Sequence, residues 1–76
     1  MVKEDEKFYI IGGAFSNRRN AEKLIKKLND WHYNGEIIKN GDIFRVSYKS
    51  FDNKEDALRV LGNIRKENAS AWILTN

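Results

Sequence analysis

A strand-then-helix unit occurs twice in this chain, and that repeat constrains the fold more than any other feature. Residues 15–21 (FSNRRNA) return as residues 51–57 (FDNKEDA), and each copy is followed by an apolar stripe and preceded by an apolar run. Repetition of this kind in a short chain predicts one domain made of two similar halves. The stripes are Leu24, Ile25 and Leu28, then Val60, Leu61 and Ile64, and the runs are 8–11 and 43–46.

Length and composition limit what such a domain can be. At 76 residues the chain accommodates one small core and no second one. An apolar fraction of 41% is ordinary for a globular domain, and the absence of cysteine excludes disulfides and thiolate metal sites. We expect an N-terminal tail or linker over residues 1–7 and a folded domain over 8–76.

The chain offers no segment suited to crossing a membrane. No apolar run approaches the roughly 18 residues of a membrane span, and the first seven residues are charged rather than signal-like. We therefore expect any signal or anchor to lie outside this chain, and any membrane attachment to come through other parts of the parent protein. The net charge of +3 is mild and sits mostly on the first predicted helix, which is typical of a solvated face.

Apolar spacing and turn residues predict the element order β-α-β-β-α-β. Both helices carry apolar residues at i, i+3, i+4 and i+7. Ser16 or Asn17 is expected to cap the first helix, and Asp52 with Glu55 the second. Asn40-Gly41 between apolar residues predicts a two-residue hairpin loop. The predicted strands are 7–14, 36–39, 42–50 and 71–75, and the first helix is predicted to end near residue 30.

This order predicts an α+β domain of the ribonucleoprotein or ferredoxin-like type. Right-handed crossovers place both helices on one face of a four-stranded antiparallel sheet, with the first and third strands in the centre. Each helix has a single apolar stripe, so both helices cover the same sheet face. The opposite face is left uncovered, and it is the candidate binding surface.

Alternation along the strands assigns side chains to the two faces. The residues expected to meet the helices are Phe8, Ile10, Gly12, Phe44, Val46, Tyr48, Ala71 and Ile73. Those expected to turn outward are Tyr9, Ile11, Gly13, Ile43, Arg45, Ser47, Lys49, Trp72 and Leu74. The second strand is too short to assign. Apolar side chains exposed around one arginine are typical of an interaction site.

Several short segments of the chain form a recognisable pattern around two Phe-x-Asn-x-x-x-Ala blocks, which are its most specific part. The segments are 9–17 (YIIGGAFSN), 21–22 (AE), Leu28, 40–41 (NG), 44–46 (FRV), 50–51 (SF), 55–58 (EDAL) and 71–74 (AWIL). With these segments the chain resembles the SPOR domain, the sporulation-related repeat, over about residues 8–74.

The resemblance implies a non-catalytic domain of bacterial envelope proteins that binds peptidoglycan. It implies a preference for glycan strands stripped of their stem peptides, accumulation at the division septum, and a periplasmic or cell-envelope location. The glycan is implied to lie along the open sheet face, at positions that fall here on Ile11, on Arg45 with Ile43 nearby, and on Trp72. The full set of candidate glycan-binding residues is Arg45, Trp72, Tyr9, Ile11, Ile43 and Ser47.

The chemistry of two of these residues suits a sugar. Trp72 can stack on the apolar face of a pyranose ring, and Arg45 can donate to acetamido or hydroxyl oxygens. The chain also departs from the family pattern. Many members have glutamine where Ile11 stands, serine where Ala14 stands, and Gly-Pro where residues 49–50 stand.

Two other functions would use the same face. A protein–protein or homodimer contact is favoured by the apolar Ile11 at a usually polar position. RNA binding would need aromatic side chains turned outward from the central strands, but alternation turns Phe44 and Tyr48 inward, so no nucleic-acid partner is expected.

Nothing in the chain predicts catalysis, a metal or a cofactor. His32 is the only histidine, and it falls in a turn where left-handed backbone is tolerated. Asp52 and Glu55 are accounted for by helix capping, which leaves no carboxylate pair for acid–base chemistry. No Gly-Lys-Ser/Thr follows Gly12-Gly13, so that pair is not a phosphate loop.

Overall fold

The fold has the predicted element order and sheet. The computed structural model describes residues 7–75, so most of the predicted tail and Asn76 lie outside the described residues. Neighbouring strands are antiparallel in the order β2-β3-β1-β4, which confirms the α+β prediction with β1 and β3 in the centre. The elements are β1 Phe8–Phe15, α1 Arg18–Asp30, β2 Glu36–Asn40, β3 Ile43–Phe51, α2 Lys54–Ile64 and β4 Trp72–Thr75.

Both helices begin after the asparagine that the two repeats share. The side chain of Asn17 accepts a hydrogen bond from the Arg19 amide at 2.8 Å. Asn53 accepts one from the Glu55 amide at 2.7 Å. The prediction that Asp52 caps α2 is wrong by one residue, because Asn53 has the extended backbone of an N-cap and the helix begins directly after it.

The core lies between the two helices and one face of the sheet. Both predicted helical stripes contribute to it, together with Ile10, Val46 and Tyr48 from the central strands. Tyr48 is buried, and its ring meets that of Tyr33 edge to face, with centroids 5.1 Å apart. Each buried aliphatic or aromatic side chain of this size contributes roughly 1.5–3 kcal/mol. Phe44, Val46 and Tyr48 therefore face the helices, as alternation predicted.

The end of α1 is closed by a left-handed residue and an aromatic anchor. His32 has a φ of 67°, as its turn position predicted. The amide of Tyr33 then donates to the Leu28 carbonyl at 2.9 Å, and its ring packs against the core. Burial, followed by the nearby Glu67 and Tyr48, raises the pKa of Tyr33. The neighbouring Trp31 stays 52% exposed.

The hairpin between β2 and β3 is confirmed, but its loop lies one residue later than predicted. Asn40 is paired with Ile43, so the two loop residues are Gly41 and Asp42 rather than Asn40 and Gly41. Gly41 has a φ of 61°, which favours glycine in a tight hairpin turn.

A bulge at Gly12-Gly13 changes the alternation of β1. A Cβ atom on Gly12 would overlap the ring of Tyr48, and one on Gly13 would lie 3.0 Å from the Phe15 ring. Both positions therefore point toward the helices, and the outward assignment of Gly13 is wrong. The register shifts here by one residue, which puts Ala14 opposite Arg45 on the uncovered face.

A second register shift affects β3. Ile10 is paired with Lys49 and Ile11 with Ser47, which leaves Tyr48 as the extra residue. The outward assignment of Lys49 is wrong for this reason. The Nζ atom of Lys49 lies 5.4 Å from the ring of Phe51, which itself packs against the core.

Replacing Gly12 with alanine tests the close approach of Tyr48. Because the buried ring occupies the space of the new methyl group, we expect Gly12→Ala to lower the free energy of unfolding by about 1–3 kcal/mol. The control is Gly62→Ala, since Gly62 lies inside α2 and, apart from its chain neighbours and the helix's own backbone, no atom lies within 4 Å of its Cβ position. That variant should be more stable by about 0.5–1 kcal/mol. Urea unfolding of the two variants measures both changes, and equal changes would contradict the packing argument.

Candidate functional site

The candidate site is the sheet face that the helices leave uncovered, called here the open face. Directly paired residues of neighbouring strands point to the same side, so the pairings identify its members. Trp72 is paired with Ile11, Leu74 with Tyr9, and Ile38 with Arg45. The open face carries Tyr9, Ile11 and Ala14 from β1, Glu36, Ile38 and Asn40 from β2, Ile43, Arg45, Ser47 and Ser50 from β3, and Trp72 and Leu74 from β4.

Arg45 and Trp72 contact each other across β1. The guanidinium carbon of Arg45 lies 5.7 Å from the centre of the Trp72 ring, within cation–π range. The two residues stand on β3 and β4, which flank β1, so the Arg45 side chain crosses the strand between them. The residue of β1 directly opposite Arg45 is Ala14, whose small side chain leaves room for this crossing. Trp72 remains 38% exposed, so its ring stays available to a ligand.

Two of the predicted contact residues form the floor beneath this pair. Ile11 and Ser47 point to the open face as predicted, but both are 0% exposed, so the expectation that they are accessible is wrong. Ile11 is paired with Ser47 on one side and with Trp72 on the other, and these neighbours enclose it. Alternation gives the direction of a side chain, but not whether long neighbours close over it.

The hydroxyl group of Ser47 has a partner within the protein. It donates to the carbonyl of Lys49 at 3.2 Å, across the extra residue of β3. This bond satisfies a fully buried polar group and holds the bulge. Ser47 therefore stabilises the site rather than presenting a group to a ligand.

A shallow depression of about 300 Å³ runs across the open face. Its walls come from all four strands, and it is lined by Tyr9, Ile38, Lys39, Asn40, Arg45 and Leu74. The Nζ atom of Lys39 lies 5.8 Å from the ring of Phe44, a residue of the core side. Arg45, which pairs with Ile38 on the open face, and Lys39, whose own pairing is with Phe44, are the two cationic residues that line the depression.

Sequence reasoning missed the contribution of β2. Ile38 and Asn40 line the depression, but the second strand was left unassigned for its shortness. The predicted hairpin was enough to assign Ile38. A loop at 40–41 would pair Ile38 with Ile43 and a loop at 41–42 pairs it with Arg45, and both partners lie on the open face. Ile43, by contrast, lies on the open face as predicted and is 39% exposed.

The described residues contain neither a metal-binding cluster nor a membrane-crossing helix. Within 7–75, no group of three or more His, Cys, Asp or Glu side chains is placed to hold a metal ion. In the same range, no helix combines the length and the apolar character needed to cross a bilayer.

The chain belongs to the SPOR domain family, whose model matches residues 4–75. The whole chain superposes on the solution structure of the peptidoglycan binding domain of the B. subtilis cell wall lytic enzyme CwlC, with a TM-score of 0.77, 17% identity and coverage of 96% of that chain. This similarity shows that the two domains share a fold.

A relative with higher sequence identity is an uncharacterized protein of Haemophilus influenzae. The two are 40% identical over 58 residues, which cover 76% of this chain but only 28% of that protein. The domain described here thus corresponds to a minor part of that longer protein.

Replacing Ile11 with the glutamine found in many SPOR domains tests the buried floor. We expect Ile11→Gln to lower the free energy of unfolding by about 1–3 kcal/mol, because the amide enters a site with no exposed surface. Ile43→Gln is the matched control, since Ile43 lies on the same face but is 39% exposed. That change should stay within about 0.5 kcal/mol. Thermal unfolding of the two variants compares the stability lost at the buried Ile11 with that lost at the exposed Ile43. An Ile11→Gln variant as stable as the unmodified domain would show that position 11 is accessible to solvent.

Proposed function

We propose that this SPOR domain is a non-catalytic peptidoglycan-binding module that takes a glycan strand on its open face. The observation that carries the proposal is the Arg45–Trp72 pair, a partly exposed indole beside a guanidinium on the uncovered side of the sheet. Membership of the SPOR family and the shared fold with a peptidoglycan binding domain support it.

The pair combines the two kinds of contact that a glycan offers. Pyranose rings present CH groups on their faces and hydroxyl or acetamido groups at their edges. The Trp72 ring supplies a flat apolar surface for the faces, and Arg45 supplies N–H donors for the edges. Tyr9 and Asn40 line the depression and place further polar groups along the path of an extended strand.

The open face suits binding better than hydrolysis. Cleavage of a glycosidic bond usually requires two carboxylates placed around it. The residues that line the depression within the described chain include neither a carboxylate nor a histidine. Among the paired strand residues of the open face, Glu36 is the single carboxylate, so the face lacks the pair that hydrolysis uses. We therefore expect a strand held here to be bound and released unchanged.

The preference for denuded strands and the periplasmic location are part of the same proposal. SPOR domains act in the cell envelope, where glycan strands are accessible. A strand that lies flat across a shallow depression has one side against the protein, and a stem peptide on that side would have to be accommodated. Strands without stem peptides avoid this cost.

The two other uses of the open face are less favoured by the structure. RNA binding needs outward aromatic rings on the central strands, but Phe44 packs against the core and Tyr48 is only 3% exposed. A protein partner or a second copy of the domain would need a larger accessible apolar area, and the burial of Ile11 reduces it.

Sedimentation with insoluble peptidoglycan sacculi tests the proposal. We expect the domain to be retained, and more strongly on amidase-treated sacculi, which have lost stem peptides. The Arg45→Ala, Trp72→Ala double variant should lose retention by roughly tenfold or more, because it lacks both the stacking surface and the donors.

The matched control for this experiment is the Lys27→Ala, Trp31→Ala variant. It removes the same kinds of side chain, an exposed cation and an exposed tryptophan, from the opposite side of the molecule. It should be retained as well as the unmodified domain. Circular dichroism verifies that both variants are folded. If the domain bound neither the untreated nor the amidase-treated sacculi, the proposal would be overturned. Concentration-dependent self-association of the domain would then favour a homodimer contact.

A further inference from the structure

The positive charge of the domain is concentrated on α1. This helix carries five lysine and arginine residues against two acidic ones, whereas α2 carries two of each. One of the acidic residues of α1, Glu22, is paired with Arg18 at 3.3 Å. The helices cover the sheet face opposite the open face, so this charge lies on the far side of the molecule from Arg45 and Trp72.

Four exposed residues of α1 and its end form a single row. Arg19, Lys23, Lys27 and Trp31 follow one another at intervals of four, so they are neighbours along one ridge of the helix. Lys26 and Asp30 lie next to the row, so the four cations at and beside it outnumber the one unpaired acidic neighbour. The buried side of α1 is made by Ala21 and Leu28, which leaves this ridge free toward solvent.

Trp31 adds an exposed apolar side chain to this row of cations. At 52% it is the most exposed large apolar side chain among the described residues. Its position directly after α1 places it one helical turn beyond Lys27. A helix face exposed to solvent is enough to explain the cations. It does not explain why the indole ring of Trp31 is exposed at the end of the row.

We propose that this ridge binds the surface of a bilayer that contains anionic phospholipids. Lysine and arginine side chains reach phosphate groups while their stems lie along apolar surface, and tryptophan prefers the boundary between headgroups and acyl chains. A row of three cations that ends in an exposed tryptophan matches that boundary in both charge and polarity. An acidic protein or polymer would account for the cations but not for Trp31.

The placement allows two contacts at once. The open face and the α1 ridge lie on opposite sides of the sheet, so a domain that holds a glycan strand can also rest on a membrane. The inference itself does not depend on glycan binding, because the two surfaces share no residue.

Vesicle sedimentation and tryptophan emission test this surface. The protein is mixed with vesicles of phosphatidylglycerol and phosphatidylcholine, or of phosphatidylcholine alone. We expect binding only to the anionic vesicles, and a decrease of that binding with added salt. In a Trp72→Phe background Trp31 is the remaining tryptophan, and its emission should shift to shorter wavelength on the anionic vesicles.

Charge-matched variants locate the contact. The Arg19→Gln, Lys23→Gln, Lys27→Gln triple variant should bind the anionic vesicles at least about tenfold more weakly. The control, Lys54→Gln, Arg59→Gln, Lys66→Gln, removes the same number of exposed charges on and just beyond α2 and should lose much less. Both should keep their retention on sacculi, so failure of one proposal is distinguishable from failure of the other.

Three results would overturn the inference. The first is no binding to anionic vesicles by the unmodified domain. The second is equal weakening by the two triple variants, which would indicate a diffuse charge effect. The third is binding without a shift of Trp31 emission together with equally tight binding to soluble polyglutamate, which would make the ridge a general polyanion site.

Discussion

The close approach of the Tyr48 ring to Gly12 is the contact on which the arrangement of both sheet faces depends. The ring fills the space that a side chain at position 12 would need, so this residue of β1 can lie against the ring without displacing it only if it is glycine. The accompanying register shifts send Gly13 toward the helices, put Ala14 opposite Arg45, and leave the crossing above β1 clear. A core contact on one side of the sheet thus determines which side chains meet on the other.

The sequence was sufficient to predict the elements, their order and the sheet, because the repeat, the helical spacing and the hairpin signal are all local. Asn53 rather than Asp52 caps α2, and the loop is Gly41-Asp42, and both errors are shifts of one residue within a correct element. The candidate site was predicted less completely. The directions of Arg45, Trp72, Tyr9 and Ile43 followed from alternation, whereas the burial of Ile11 and Ser47 depends on how neighbouring strands close over them. The Gly12-Gly13 pair is typical of a bulge or a close backbone approach, and both are found there. Strand periodicity does not show which way the residues beside such a bulge then point.

The two tryptophans lie in different surroundings on opposite sides of the domain. Trp72 sits within the sheet, held beside Arg45, where its orientation is set by a partner. Trp31 follows a helix, has no such partner among the aromatic and cationic contacts of the described residues, and keeps about half of its surface exposed. A ring oriented by a partner suits an ordered, extended ligand, whereas a largely exposed ring suits a fluid surface. The two proposals thus assign the same residue type two different chemistries on opposite sides of one thin domain, whose shortest principal extent is 19 Å.

The sheet order has a consequence for how the domain folds. The first repeat supplies β1 and β2 and the second supplies β3 and β4, yet the hydrogen-bonded pairs of the described sheet are β1 with β3, β1 with β4, and β2 with β3. Every ladder therefore joins the two repeats, and neither repeat holds a strand pair of its own. Half of the chain has no sheet to form by itself, so the domain must fold as one cooperative unit in spite of its internal repetition. Two fragments cut at the Gly41-Asp42 loop would each remain unfolded until they met.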